Sequence, residues 1–231
     1  MITLAEHILI LPDAMPLDMC NALIETYNSV SKSDEHYEKR DNAIYKFDEI
    51  NMLNHSAFED FRQPMGALMQ GVNNFYMDKV HNVLRDKLVC YEKFDNYEAP
   101  RIKRYEPNEG IFDWHVASFD EESAKRALVM FWYLNDVEEG GETVFDVGQE
   151  IKVPPRAGSV CCFPPHWTFP HKGATPISGP KYVISSYVWL PNTAPLCDPI
   201  NKENKIKRKS DGTYSYSARH RMQENKHINK T

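Results

Sequence analysis

The sequence predicts a mainly β fold, an antiparallel barrel or jelly roll, with helices packed on it from the N-terminal side. Before residue 95, apolar residues recur at the three- and four-residue spacing of helices. From roughly residue 97, short apolar runs alternate with Gly and Pro punctuation, as strands do. Helices followed by a long series of strands are typical of a sheet backed by helices. An apolar fraction of 42% is sufficient for such a core.

Two helices are predicted in the N-terminal region. Apolar residues between positions 17 and 28 repeat at helical spacing. A longer helix is predicted from Phe58 to Leu88, with an early turn or kink at Pro64. Its stripe of Met and aromatic residues is expected to pack against the sheet. Residues 31–42 are polar and predict a loop, and residues 45–53 are ambiguous.

The strands are predicted after these helices, with Gly-containing turns between them. Their approximate ranges are 98–105, 111–117, 126–134, 142–146, 149–153, 158–163 and 181–190. The chain therefore divides into an N-terminal helical support region (1–95), a β core (96–191) and a basic C-terminal tail (192–231).

Charge and composition limit the classes of partner. The net charge of -6 gives no general attraction to nucleic acid or to an anionic membrane. Residues 201–231 carry nine Lys/Arg against three acids, so we expect this tail to pack near the acidic core or to line its entrance. No run approaches the ~20 apolar residues of a membrane helix. Five cysteines without CxxC spacing indicate a reducing, cytoplasmic setting. The sequence leaves the oligomeric state unknown.

Two histidines mark the predicted chemistry. His115 lies in the strand-like run 112–117, and His171 follows 56 residues later. Because side chains alternate along a strand, residues 113, 115 and 117 are expected to face one side. An ion held in a barrel needs ligands on that face and another on a facing strand. Two His and one carboxylate bind non-haem Fe(II) in this way and leave positions open for cosubstrate and oxygen.

The order of residues from 98 to 191 resembles the Fe(II)/2-oxoglutarate-dependent dioxygenases, specifically their prolyl 4-hydroxylase-like branch. The matching residues, in chain order, are Tyr105 with Gly110, His115, Tyr133-Leu134-Asn135-Asp136, Gly140-Gly141-Glu142-Thr143-Val144-Phe145, His171 with Gly173, and Lys181. A single His-x-Gly is a weak signal, whereas the ordered set is specific. The resemblance implies a double-stranded β-helix, the jelly roll also found in cupins.

The same resemblance implies a role for each site residue. His115 and His171 bind iron, and Lys181 pairs with the distal carboxylate of 2-oxoglutarate, with Tyr105 and Thr143 as helpers. The implied cofactors are Fe(II), 2-oxoglutarate and O2, with ascorbate as a candidate reductant. The implied reaction is oxidation of an unactivated C–H bond in a small molecule or a peptide, and a prolyl peptide is the family default.

One position departs from the family pattern, which places an aspartate ligand where this sequence has Ala117. Three explanations are open. In radical halogenases of the superfamily a small residue replaces the aspartate and chloride takes the coordination position, so Ala117 is itself part of the predicted catalytic site. A hydroxylase is the second explanation, with Asp113, Asp120 or water in place of the ligand, or with the aspartate engineered out. The third is a catalytically inactive binding module of the same fold.

Three further features surround the iron motif. The run 118–125 has the composition of a substrate lid, and its acids are equally consistent with a solvated face. Arg126 is a candidate contact for a substrate carboxylate or phosphate, the alternative being an exposed surface position. His166 is expected to be a loop residue near the site and not a ligand.

Overall fold

In the computed structural model, twelve strands form one curled antiparallel sheet that is backed by two helices. Residues 4–80, 96–190, 207–208 and 214–215 are described by the structure. The strands are β1 (Leu9–Leu11), β2 (Tyr37–Asp41), β3 (Tyr45–Asn51), β4 (Asn96–Tyr97), β5 (Arg101–Tyr105), β6 (Ile111–His115), β7 (Arg126–Tyr133), β8 (Thr143–Asp146), β9 (Glu150–Val153), β10 (Val160–Phe163), β11 (His171–Gly173) and β12 (Lys181–Trp189). The helices are α1 (Leu17–Ser29) and α2 (Glu59–Val80).

The order of strands in the sheet is that of a jelly roll. It runs β1-β10-β7-β12-β5-β3-β6-β11-β8-β9, with β2 paired to β3 and β4 to β12. Most neighbouring strands in this order are not consecutive in the chain, for example β7 and β12, and the exceptions are the β2-β3 and β8-β9 pairs. This confirms the predicted double-stranded β-helix with N-terminal helices, and each of the seven predicted strands is present within a few residues.

The two faces of the sheet bury two different cores. On β7, Leu128, Met130 and Trp132 pack with the apolar stripes of α1 and α2. The alternate residues of the same strand belong to a second cluster that includes Ala117 and Phe145. Because side chains alternate along a strand, one face of β7 binds the helices while the other faces the interior of the curled sheet.

The N-terminal region also contributes strands, which the sequence pattern did not predict in full. Residues 31–42 were expected to form a loop, yet β2 lies within them and pairs with β3. β2 is a charged edge strand, and its polar composition is stabilised by ion pairs such as Arg40 Nε to Glu49 Oε1 at 3.0 Å. β3 occupies the ambiguous residues and inserts between β5 and β6.

Several predicted features fall wholly or partly outside the described residues. They are the end of the second helix beyond Val80 and most of the tail from residue 192. The tail separates from residues 1–191 as a second unit, in which β13 (Lys207–Arg208) pairs with β14 (Tyr214–Ser215). Among the helices that the structure describes, none is long and apolar enough to span a membrane.

Candidate active site

The two predicted iron-binding histidines face each other across neighbouring strands. His115 ends β6, His171 begins β11, and the two are direct partners in the register of this pair. Their ring centres are 4.3 Å apart and the rings are inclined by 56°. Two imidazoles bound side by side to one ion, each through a nitrogen about 2 Å from it, have ring centres roughly 4–5 Å apart. The spacing therefore fits two ligands of a single metal ion.

Backbone contacts fix both imidazoles in the form that a metal requires. His115 Nδ1 lies 2.7 Å from Asp113 O, and His171 Nδ1 lies 3.0 Å from Phe169 O. A carbonyl oxygen only accepts, so each Nδ1 carries the hydrogen and each Nε2 keeps a free lone pair. His171 Nε2 is buried and has no hydrogen-bond partner among the described residues. Such an orphaned acceptor is expected where a metal ion binds.

Burial keeps both imidazoles neutral at physiological pH. Desolvation is the main cause that lowers the pKa of His171 to about 3 and that of His115 to about 4. His171 is 1% exposed, and three aromatic rings surround it, Phe131, Phe145 and Phe163. A neutral imidazole can bind a metal ion without first losing a proton.

The described residues supply no third metal ligand of the usual triad. Within residues 4–80 and 96–190, no group of three or more His, Cys, Asp or Glu side chains is arranged to hold a metal ion. Ala117 is buried in the interior cluster of the sheet. The residues present therefore fit a metal centre with two histidine ligands and no protein carboxylate.

Neither aspartate considered as a substitute ligand is available. His171 pairs with His115 and Gly173 with Phe112. A step of two residues along β11 therefore matches a step of three residues along β6. This extra residue is a β-bulge and reverses the side-chain alternation. Phe112, not Asp113, therefore lines the cavity with His115, and the expected facing of Asp113 is wrong. Asp113 is exposed, and its carboxylate accepts a hydrogen bond from Trp114 N.

Asp120 is held by its own loop. Its carboxylate accepts hydrogen bonds from the Ser123 backbone N at 2.8 Å and from the Ser123 hydroxyl at 2.6 Å. These bonds lower the pKa of Asp120 and make it part of a tight turn. The 118–125 run is accordingly a structured loop, and Phe119 at its start is 74% exposed.

Lys181 lies in the same cavity as the histidines and is buried among aromatic rings. Its Nζ donates to Gly141 O at 2.7 Å and lies 5.1 Å from the centre of the Tyr105 ring and 5.9 Å from that of Tyr133. Burial lowers its pKa to about 8, which Glu142 partly opposes. With one hydrogen bond to the protein, the ammonium has two further donors for an anionic ligand.

Two glycines make the turn that brings the Gly141 carbonyl to Lys181. Gly140 and Gly141 have φ angles of 73° and 76°, which residues with a Cβ rarely adopt. A Cβ on Gly140 would lie 2.3 Å from Thr175 O. Thr143 follows the turn and lines the cavity, with its hydroxyl 2.7 Å from Tyr133 Oη. Thr143 and Tyr105 are thus in place beside Lys181.

The cavity contains further residues that the sequence analysis did not single out. They are Lys103, Phe112, Phe131, Val183, Ser185 and Tyr187. Alternation provides the signal for most of them, because Lys103 is two residues before Tyr105 and Ser185 is four after Lys181.

Arg126 matches neither of its two predicted roles, substrate contact or exposed surface residue. Its guanidinium makes two hydrogen bonds to the Glu98 carboxylate, at 2.9 and 3.0 Å. It also donates to Ala117 O at 2.8 Å and stacks 3.7 Å from the centre of the Tyr187 ring. Arg126 therefore fixes the backbone directly after His115. His166 is exposed, as expected for a loop residue.

The fold and the paired histidines are similar to those of non-haem iron oxygenases. Residues 100–189 match the sequence model of the 2OG-Fe(II) oxygenase superfamily. Over this region the chain is similar to that superfamily, whose members are oxidoreductases, and its fold is that of the prolyl 4-hydroxylase-like oxygenases. No curated protein sequence gives a significant match.

Solved structures share this fold at low sequence identity. A prolyl 4-hydroxylase from Pseudomonas putida has 17% identity and a TM-score of 0.58, covering 80% of this chain and 92% of that one. A prolyl hydroxylase from Trichoplax adhaerens, in complex with a hypoxia-inducible-factor peptide, has 12% identity and a TM-score of 0.56, over 80% and 84%. A viral collagen prolyl hydroxylase from Paramecium bursaria Chlorella virus-1, in complex with 2-oxoglutarate, has 20% identity and a TM-score of 0.51, over 79% and 95%.

Proposed function

We propose that this protein is an Fe(II)- and 2-oxoglutarate-dependent oxygenase that oxidises an unactivated C–H bond, with His115 and His171 as the iron ligands among the described residues. The observation that carries the proposal is the pair of neutral imidazoles with free Nε2 atoms in one cavity with a buried Lys181. Bound iron, 2-oxoglutarate and O2 would supply the oxidising power. The inactive binding module is disfavoured, because a chain without iron chemistry has no need for an orphaned imidazole nitrogen.

The residues of the chain bind and orient the cosubstrate. The free donors of Lys181 would bind the distal carboxylate of 2-oxoglutarate, a charge-assisted contact strengthened by burial. The hydroxyls of Tyr105 and Thr143 lie beside it as further hydrogen-bonding groups. The aromatic rings around His171 exclude water from the iron side of the cavity.

The third coordination position is open to an exogenous ligand, which decides between two reactions. Ala117 supplies no ligand, Asp113 faces away, and Asp120 is held by Ser123. With chloride at this position the expected reaction is halogenation, and this is the reaction we favour. The missing carboxylate removes one negative charge from the iron, and chloride restores it. With water at this position the expected reaction is hydroxylation. Hydroxylation is also the reaction in the names of the solved prolyl hydroxylases whose fold the chain shares. A small molecule or a peptide is the expected substrate, and ascorbate is the proposed reductant.

The test is an anaerobic titration of the metal-free protein with Fe(II) and 2-oxoglutarate, followed by visible absorbance with and without chloride. We expect a metal-to-ligand charge-transfer band that shifts in chloride. A band insensitive to chloride would support the hydroxylase, and absence of a band would support the inactive module.

Ala117→Asp is the matched variant for this titration. It restores the carboxylate, so we expect tighter Fe(II) binding and a band that no longer responds to chloride. A band that still shifts with chloride in this variant would show that chloride acts elsewhere in the protein.

A further inference from the structure

We propose that Lys103 and Ser185 form a second anion-binding subsite in this cavity, which takes a carboxylate of the substrate. The inference rests on the proposed function and deepens it, because it names the substrate class. The substrate is then a small molecule with a free carboxylate, such as an amino acid or a related acid. A prolyl residue inside a peptide chain carries no free carboxylate.

The strand register places the two side chains on one wall. Lys103 of β5 pairs with Val183 of β12, and the next inward position along β12 is Ser185, which pairs with Arg101. Lys103 and Ser185 are therefore diagonal neighbours, which long side chains can bridge. Both line the cavity that contains His115 and His171. Lys181 is the next inward position from Val183 in the opposite direction, and its Nζ donates to Gly141 O, whereas Lys103 Nζ lies beside Glu49. Because the two ammonium groups have different protein partners, we assign them separate ligands.

The Lys103 ammonium is buried and is only partly neutralised. Its nearest carboxylate is Glu49, with Nζ 3.7 Å from Oε2, which is longer than a hydrogen bond. The same carboxylate also pairs with Arg40 at 3.0 Å and Arg101 at 3.5 Å. Arg40 also pairs with Glu38, so two carboxylates face three cations and one positive charge remains in a cluster whose Lys103 lines the cavity. The other close neighbour of Lys103 is the Phe47 ring, 4.6 Å from Nζ.

Ser185 supplies an unused donor beside this charge. Its side chain is 2% exposed, and its hydroxyl has no hydrogen-bond partner within the described part of the chain. A buried hydroxyl without a partner is rare and costly, so a ligand atom is the expected partner. A carboxylate has two oxygens and can accept from the Lys103 ammonium and the Ser185 hydroxyl together. A spherical halide offers no such pair of acceptors.

Binding of acetate to the metal-free full-length protein tests the subsite without any iron chemistry. Line broadening of labelled acetate in NMR gives its affinity, measured in chloride-free buffer with 2-oxoglutarate saturating. We expect Lys103→Met to weaken acetate binding at least ~10-fold and Ser185→Ala to weaken it several-fold, as lost charge-assisted and neutral hydrogen bonds do. Lys152→Met, which removes an exposed lysine, is the matched control and is expected to change nothing.

Two further variants keep the test independent of folding. The double variant Lys103→Met with Glu49→Gln removes both charges of the ion pair, so Glu49 is not left as a carboxylate paired only with arginines. Lys103→Arg keeps the positive charge and is expected to restore part of the acetate affinity. Equal acetate binding in wild type and Lys103→Met overturns the proposal.

Two other results would also overturn the substrate assignment. One is loss of 2-oxoglutarate affinity in Lys103→Met, which would show that Lys103 binds the cosubstrate. The other is displacement of acetate by an equal concentration of chloride, which would show a halide site. Because no iron is present, failure of the subsite leaves the proposed oxygenase function untouched, and failure of the Fe(II) titration leaves the subsite untouched.

Discussion

Burial, and not a neighbouring charge, sets the protonation state of His171. Its ring is enclosed by aromatic side chains, and its Nδ1 hydrogen is donated to Phe169 O. The pKa of His171 falls to about 3 because the charged imidazolium would lose its water. The same burial that prepares the residue for metal therefore makes the metal-free fold sensitive to acid.

The stability of the metal-free protein is expected to fall between pH 6.5 and pH 4.5 because of this residue. The unfolded chain takes up a proton at His171 in this range and the folded chain does not, so the contribution is complete above pH ~6.5 and is lost on acidification. Two pH units correspond to about 2–3 kcal/mol. Urea unfolding at both pH values should show a smaller loss for His171→Asn than for wild type.

The exposed His166→Asn is the control for this measurement, because its side chain is in water in the folded and the unfolded chain alike. Equal pH dependence in wild type and His171→Asn would contradict the assignment of the effect to buried His171.

At the scale of single strands and turns, irregular backbone positions several residues of the site. The bulge in β6 turns Phe112 and His115 to one side, and the Gly140-Gly141 turn directs a carbonyl at Lys181. Arg126, at the start of β7, holds the carbonyl of Ala117. These irregularities are the features that alternation along a regular strand does not predict.

Gly140→Ala is expected to disturb the cosubstrate end of the cavity. The substitution places a Cβ against Thr175 O at a positive φ, so we expect a loss of about 3 kcal/mol or more in the free energy of unfolding. We also expect weaker 2-oxoglutarate binding, because Gly141 O would move relative to Lys181. Chemical unfolding and calorimetric titration measure the two effects.

Gly148→Ala separates backbone strain from steric contact. Gly148 has a φ of 85°, and a Cβ there would meet nothing within 4 Å. This variant should lose only the conformational term of about 1–2 kcal/mol and keep its 2-oxoglutarate affinity. If the two variants lose equal stability and affinity, the close approach to Thr175 O has no role.

At the scale of the whole molecule, the sequence predicts regular features and misses those set by tertiary contacts. Period-two and helical spacing locate the strands of the β core and the two helices. The charged strand β2 was predicted as a loop, because its stability comes from pairing with β3 and from ions such as Arg40. The same limit applies to the site. Spacing identifies His115 and His171, but only the register shows that Asp113 faces away.

The cavity is lined by six strands that lie between β7 and β8 in the sheet order, so ligand binding should stabilise most of the sheet. Its lining comes from β5, β6, β7, β8, β11 and β12. Mn(II) can replace Fe(II) without oxygen chemistry. With Mn(II) present and 2-oxoglutarate at about 100 times its dissociation constant, the free energy of unfolding should rise by about 2.7 kcal/mol.

Lys181→Met should abolish this gain while the variant still folds, because an apolar side chain of similar length replaces a buried ammonium. The comparison is made by urea unfolding in the presence of Mn(II), with and without 2-oxoglutarate. A gain that persists in Lys181→Met would place 2-oxoglutarate elsewhere. A gain in neither protein would mean that the cavity does not bind the cosubstrate, even though its histidines and Lys181 line the same cavity.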